Sequence, residues 1–428
     1  MPAFRIEGGL ALKGEITPSG NKNAALPLLT ACLLTPEPII FRNVPEIGDV
    51  KVMRRLLESL GVTVDTVEPH TWRIQASKIH QADLDPDLCR SIRASILLAG
   101  PMLGREGSIN LPPPGGDVIG RRRVDTHLLA LEKLAAQVNY SEREFSMQVN
   151  GRLQGADVLL DEASVTATEN AITAAVMAEG TTVIRNAASE PHVQELCQFL
   201  VKLGAHIENI GSNTLTIEGV DSLHGGEHTI GPDYLEVVSF IGAAAVTHGG
   251  IRIRNAGPEY LDMPRLVFQR LGVYWEVDGE DIIVPSEQEL VIQSDIGGKI
   301  PHISVMPWPA FPTDLMSIAI VLATQSDGTV LFHDWMYETR MFFIDKLVSM
   351  GARIILCDPH RSIVQGPSRL IGENLESPDI RAGLALTLAA LAAHGTSRIG
   401  NIGQIERGYE RIDEKLRQLG ARIERLAD

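Results

Sequence analysis

Cysteine is scarce in this chain and scattered. Its four residues, Cys32, Cys89, Cys197 and Cys357, form no CxxC pair and no mixed Cys/His spacing. Neither a disulfide framework nor a zinc site is therefore expected, and reduced cytosolic thiols are the plain reading. Long apolar runs are missing too. The longest, such as Ala382 to Ala393, span about a dozen residues against the roughly 20 a bilayer requires. The start, Met1-Pro2-Ala3-Phe4-Arg5-Ile6-Glu7, has neither the basic region nor the apolar stretch of a signal peptide. The expectation is a cytoplasmic protein without membrane insertion. Positive charge is the minority sign, 38 Lys and Arg against 54 Asp and Glu, for a formal net charge of −16. A broad basic surface for nucleic acid is excluded, so any anion must be bound locally. No Walker A, GxGxxG or GxSxG sequence occurs, which leaves P-loop, Rossmann and serine-hydrolase chemistry without support. His224-Gly225-Gly226-Glu227-His228 has the letters of a zinc helix, but two adjacent glycines favour a loop there. No metal and no cofactor is expected.

What the chain does have is repetition. Over 428 residues, 44% of them hydrophobic, two or three domains are expected. Six times a Leu-Gly-Val-like stop recurs: Leu60-Gly61-Val62, Leu134-Ala135-Ala136, Leu203-Gly204-Ala205, Leu271-Gly272-Val273, Met350-Gly351-Ala352 and Leu419-Gly420-Ala421, about 72 residues apart on average. A glycine there suits a left-handed helix end, so helix, stop and strand is the reading. Upstream lie alternating strands: Ile39-Ile40-Phe41-Arg42-Asn43, Ser108-Ile109-Asn110-Leu111, Thr182-Val183-Ile184-Arg185-Asn186, Ile251-Arg252-Ile253-Arg254-Asn255, Thr329-Val330-Leu331-Phe332-His333 and Ser397-Arg398-Ile399-Gly400-Asn401. Between strand and stop the pattern is an amphipathic helix, as in Pro191 to Lys202 with apolar residues at 193, 196, 197, 200 and 201.

Before each strand comes a helix that is apolar nearly all round: Ala24 to Leu34, Ala94 to Leu103, Ala171 to Ala178, Val237 to Val246, Leu315 to Ala323 and Ala382 to Ala393. A helix without a polar face must be covered on every side. The fold class expected is α/β, with two domains of three repeated units, buried helices inside and sheets outside. Turn residues place the crossings near Gly20-Asn21 and Gly231-Pro232, giving one domain over 21–230 and another from 1–20 plus 231–428.

Polar residues crowd the starts of these apolar helices: Lys22 and Asn23, Arg93, Glu169 and Asn170, Asp233 and Glu236, Asp314, then Asp379 and Arg381. Capping accounts for the aspartates. It does not account for Lys22 and Arg93, whose charge opposes the helix dipole unless an anion intervenes. An anion-binding cleft is the stronger reading, and Arg121-Arg122-Arg123, Arg340, Arg407 and Arg411 add planar donors suited to phosphate and carboxylate.

At these residues the sequence resembles the enolpyruvyl transferase family, above all the branch whose acceptor is UDP-N-acetylglucosamine. The likeness rests on Lys22-Asn23-Ala24-Ala25-Leu26-Pro27, Arg93-Ala94-Ser95, Gly115-Gly116-Asp117-Val118-Ile119-Gly120, Pro309-Ala310-Phe311-Pro312-Thr313-Asp314, Asp379-Ile380-Arg381-Ala382 and Arg407-Gly408-Tyr409-Glu410-Arg411-Ile412. It implies two inside-out α/β barrel domains, with the first strand near Phe4 to Ile6 belonging to the C-terminal half. It also implies transfer of the enolpyruvyl group of phosphoenolpyruvate to the sugar's 3′-hydroxyl with release of phosphate, the first committed step of peptidoglycan synthesis. The resemblance makes Asp314 the base and Asp117 the acid. Lys22, Arg122 and Arg407 become phosphate contacts, with Arg381, Arg93 and Asn23 near the donor. The sugar nucleotide falls to Asn23, Arg93, Arg122, Arg123, Val124, Asp125, Ser164, Val165, Thr166, Asp314 and Arg340, with Glu190 at a further position. No macromolecular partner is implied, and a monomer is favoured.

One departure is consequential: most members carry cysteine where this chain has Asp117. An aspartic acid can still deliver a proton, but it offers no soft thiolate to an epoxide, so resistance to fosfomycin is expected. Leu111-Pro112-Pro113-Pro114 should stiffen the loop's hinge. Thr166 for glycine, Arg123 for proline and Val237-Val238-Ser239 at a helix start bear on the acceptor more than on the reaction. Two alternatives stand beside this reading: a relative acting on another acceptor, shikimate 3-phosphate included, and a repeat-built binding protein without catalysis.

Overall fold

The structure, a computed structural model, describes residues 2–80, 84–117 and 119–426. The chain separates into two compact units. The terminal unit holds residues up to Ser19, residues 119–121 and the chain from Pro232 onward, and the inserted unit runs Gly20–Asp117 and Arg122–Gly231. The expectation put all of 21–230 together. Residues 119–121 instead count with the terminal unit, because Thr339 N–H donates to the Ile119 carbonyl and Arg121 N–H to Glu338 Oε2. Loop residue Val118 lies outside the described residues. Among those described, no helix is long and apolar enough to cross a membrane.

In the terminal unit three four-stranded sheets share one plan. A central strand pairs in parallel with a short edge strand and antiparallel with a hairpin. Gly328–His333 does so with His302–Ser304 and with Arg361–Gly366 and Arg353–Asp358. Gly250–Ile253 repeats the plan with Lys13–Ile16. Thr396–Gly400 completes it with Asn374–Glu376, but takes the first strand of the chain, Ala3–Glu7, into its hairpin position in the register Phe4↔Ile399. Helices Tyr234–Val246, Met316–Gln325 and Ile380–Ala392 lie inside. The first is started by Asp233, whose side chain accepts the Leu235 and Glu236 amides, and all 13 of its residues are buried. Gly242 is where it meets its two neighbours: a methyl there would stand 2.8 Å from Ile318 Cγ2 and 3.3 Å from Leu388 Cδ2. Each large apolar side chain so buried contributes about 1.5–3 kcal/mol.

The inserted unit repeats the plan around its own core. Sheets form on Ile39–Arg42, which takes Gly226–Thr229 as its parallel edge, and on Thr181–Arg185. The third, Ser108–Leu111 with Phe145–Gln148 and Gln137–Tyr140, has three strands. The helices inside are Lys22–Ala31, Ala99–Glu106 and Val165–Ala175. Gly100 packs so closely on the third that a methyl would lie 2.4 Å from Thr173 Oγ1.

Four central strands end in a left-handed asparagine: Asn43, Asn186, Asn255 and Asn401, with φ of 58, 58, 48 and 54°. Three of these amides tie down the residue after the parallel edge strand, Asn43 to Ile230 O, Asn186 to Leu160 O and Asn401 to Ser377 O.

Three expectations need correction. The HxxEH stretch is no loop throughout, since Gly226–Thr229 is a strand. Gly225 is required there because a side chain would meet the Pro38 carbonyl at 2.4 Å. In the helix Pro191–Lys202, Val201 is exposed and Phe199 is buried instead. Glu169 and Asn170 do not start a helix: Ser164 is the cap, so both lie a turn inside Val165–Ala175.

Candidate active site

The inserted unit carries one group of polar residues. Asn21 caps the helix Lys22–Ala31 by accepting the amides of Asn23 and Ala24. That fixes Lys22 in the first turn, where its charge runs against the dipole. The expected compensating anion is partly a residue of the chain itself, for Lys22 Nζ lies 2.8 Å from Asp49 Oδ2 and both side chains are nearly sealed. Nothing local in the sequence pointed to Asp49, which sits in the surface helix Gly48–Ser59.

Arg93 begins the turn Arg93–Leu98 and donates to the Arg123 carbonyl. Arg123 itself bonds Asp125 at 3.2 Å and Asp161 at 2.9 Å. The Thr126 hydroxyl, with Arg123, holds the Asp161 carboxyl below its usual range. Val124 leads into the helix Asp125–Lys133. His127, inside it, is buried: that burial and the Arg93 charge push its pKa down to about 3. Its ring nitrogens meet Thr166 Oγ1 at 3.1 Å and Asn170 Nδ2 at 2.8 Å. Ser164 caps the helix opened by Val165 and Thr166. Arg122 and Asp117 are half-buried on the loop, whose arm is pinned where Gly115 and Gly116 N–H donate to the carbonyls of Cys89 and Arg90. Glu190 precedes the helix Pro191–Lys202; burial and the Glu190 charge raise Glu169 well above the usual carboxylate range. Cys89 and Cys197 are buried, their thiols pushed up to about 11 and about 12, and they pack inertly.

The terminal unit carries a group of its own, and it is tighter. Asp314 sits in the turn Thr313–Leu315 ahead of the helix Met316–Gln325. Its Oδ1 accepts from Arg340 Nη2 and its Oδ2 lies against Arg381 Nη2, both at 3.1 Å. Arg381 occupies the first turn of Ile380–Ala392, where Asp379 caps by accepting the Arg381 and Ala382 amides. Burial by itself would lower Arg381, yet Tyr409, Asp314 and Asp233 hold its guanidinium charged well above the ordinary value. Tyr409, which the sequence offered only as one letter of a pattern, is fully buried and accepts from Arg381 Nη1 at 2.8 Å. Arg340 is likewise buried, opposed in sign by Asp314 and Asp379. Arg407, half-buried after the short helix Gly403–Glu406, donates to Gln404 Oε1 at 3.1 Å. Chemically, the terminal unit offers a carboxylate oriented by two planar cations and a third arginine. The inserted unit offers a lysine, further arginines and a loop acid.

Residues 6–416 match the family model described as EPSP synthase (3-phosphoshikimate 1-carboxyvinyltransferase). Among curated proteins the chain is 57% identical to a UDP-N-acetylglucosamine 1-carboxyvinyltransferase of Bradyrhizobium diazoefficiens, covering 99% of this chain and 98% of that one. It is 54% identical to the protein of that name from Treponema denticola, over 99% of each. Among solved structures it is similar to the enolpyruvyl transferase NikO of Streptomyces tendae, with a TM-score of 0.87 and 24% identity over 100% of this chain and 99% of the other. An EPSP synthase of Acinetobacter baumannii gives 0.74 at 15% identity over the whole of both chains. These structures share the fold.

Proposed function

The chain belongs to the EPSP synthase family of enolpyruvyl transferases, and from that premise we infer that it transfers the enolpyruvyl group of phosphoenolpyruvate to the 3′-hydroxyl of UDP-N-acetylglucosamine, releasing phosphate. This is the committing step of peptidoglycan synthesis. The observation that carries the acceptor is full-length identity above one half with proteins named for that substrate.

The transfer needs a base for the hydroxyl, an acid for the methylene carbon, and cations for the donor's phosphate and carboxylate. Asp314 is the base: the guanidiniums of Arg340 and Arg381 orient its two oxygens. Asp117 is the acid. Lys22, Arg122 and Arg407 take the phosphate, while Arg381 and Arg93 serve the carboxylate side. Asn23 contacts the sugar, and the stretches Arg122 to Asp125 and Ser164 to Thr166 hold the uridine diphosphate part, helped by the amides that open the helix at Val165. Reduced thiols and small-molecule substrates suit the cytosol.

The test is phosphate release from phosphoenolpyruvate with UDP-N-acetylglucosamine and with shikimate 3-phosphate as separate acceptors. Release with the first alone is expected, and none with the first defeats the assignment.

A further inference from the structure

The repeats of the fold supply an internal control. Where four central strands end in a left-handed asparagine, the strand Gly328–His333 runs into Asp334. The strand Ser108–Leu111 runs into the proline stretch before Asp117. The two copies that abandon the asparagine are those bearing the proposed base and the proposed acid.

An aspartate side chain has no N–H with which to tie an edge strand, so that of Asp334 does something else. It is completely buried. Its Oδ2 accepts the hydroxyl of Thr313 at 2.5 Å, next in sequence to Asp314. Its Oδ1 accepts the Met336 amide at 3.1 Å, and the Tyr337 amide also bonds the carboxyl. Those two residues open the segment that ends in Arg340, whose guanidinium returns to Asp314 Oδ1. The backbone of Asp334 is itself fixed, donating to the His360 carbonyl at 2.8 Å and accepting from His360 Nδ1 at 2.7 Å. Burial would favour the neutral acid, and the bonds from Thr313, Met336 and Tyr337 together with the Arg340 charge offset part of that cost.

We propose that Asp334 is a positioning residue for the transfer: by clamping the Thr313 hydroxyl to the Met336–Tyr337 turn it locks Asp314 and Arg340 into one geometry. It touches no substrate and acts through Thr313. The inference rests on Asp314 being the base. An asparagine, as in the other repeats, can keep its Oδ1 for the two amides only by turning its N–H₂ to Thr313, which reverses that bond: the hydroxyl must accept, and its own proton loses the charged acceptor that fixed it. Misplacing a reacting group by less than an ångström costs turnover more than affinity.

The experiment compares Asp334→Asn, Thr313→Val and the double variant by kcat, by KM for both substrates and by melting temperature, with Thr313→Ser as the conservative control. Each single variant is expected to lower kcat about tenfold, the worth of one well-placed hydrogen bond, with both KM values within about threefold of wild type. The double variant should lose no more than the worse single one, and Thr313→Ser should keep kcat within about threefold of wild type. An unchanged kcat in Asp334→Asn, losses that multiply in the double variant, or no recovery with serine would each overturn the proposal. Thr313→Val and Thr313→Ser leave Asp334 in place, so the question stays answerable should Asp334→Asn fold poorly. A wild-type chain that releases no phosphate with UDP-N-acetylglucosamine would instead fault the proposed function.

Discussion

Replacing Asp314 by asparagine keeps the side chain's shape and removes the charge that faces two cations. The Arg340 and Arg381 side chains are 3% and 5% exposed and lie 3.1 Å from its oxygens, whereas Asp314 is 28% exposed. Removing one partner of a buried ion pair costs about 3–5 kcal/mol, mostly for the charge left stranded. Here water reaches Asp314, Tyr409 still accepts from Arg381, and Asp379 remains 3.9 Å from Arg340. The loss should sit near the lower end, about 3 kcal/mol. For a unit of this size that lowers the melting temperature by about 6–12 °C. If Asp314 takes the sugar hydroxyl's proton, kcat should fall by about 10²–10⁴ as well. Calorimetry reads the first effect, and phosphate release at saturating substrates reads the second. A melting temperature within about 2 °C of wild type would refute the account of the ion triad. A kcat within about threefold would remove Asp314 from the role of base.

Asp49→Asn removes the carboxylate that holds the Lys22 ammonium in place in a nearly sealed site, so through the misplaced ammonium the KM for phosphoenolpyruvate should rise about tenfold or more; an unchanged KM would detach Asp49 from donor binding. Fosfomycin should leave the wild type unmodified by mass spectrometry and add once to Asp117→Cys, and an adduct on Asp117 itself would contradict the reading. His127 supplies a pH test with a definite sign. Its folded value of about 3 lies below the unfolded value of 6.5, so between these pH values the unfolded chain binds a proton that the native chain refuses. That contribution is intact above pH 6.5 and is lost as pH falls, reaching about 4–5 kcal/mol near pH 3. Taken from pH 7 to 4.5, the wild type should lose about 2–3 kcal/mol more than His127→Gln in urea denaturation, and parallel losses would refute the assignment.

The repeat was legible because glycine stops and period-two strands are local, and Ile39–Arg42 and Thr181–Arg185 form where alternation puts them. Lys22 was legible as an anomaly, since its charge contradicts the helix end it occupies. Its answer, Asp49, lies in the next helix and is brought there only by packing. Tyr409 and Asp334 were illegible for the same reason: neither stands out within its own stretch of chain, and the groups they hold, Arg381 and Thr313, lie in other elements. Glu169 was misplaced because Ser164, not the last polar residue before the apolar run, makes the capping bond. The strand at Gly226–Thr229 escaped because it exists only as the parallel partner of Ile39–Arg42, nearly two hundred residues earlier.

By itself the sequence determined the six-fold recurrence, the sealed helices and the chemical types at their ends. Hydrophobic period, glycine stops and caps act over a few residues, and no tertiary contact is needed to read them. Tertiary structure decided which charges meet. The first strand joins the last sheet, Asp314 stands between Arg340 and Arg381, and Asp334 grips Thr313. Burial sets how strongly such groups act on one another, and burial is a property of the packed whole that no stretch of chain possesses alone.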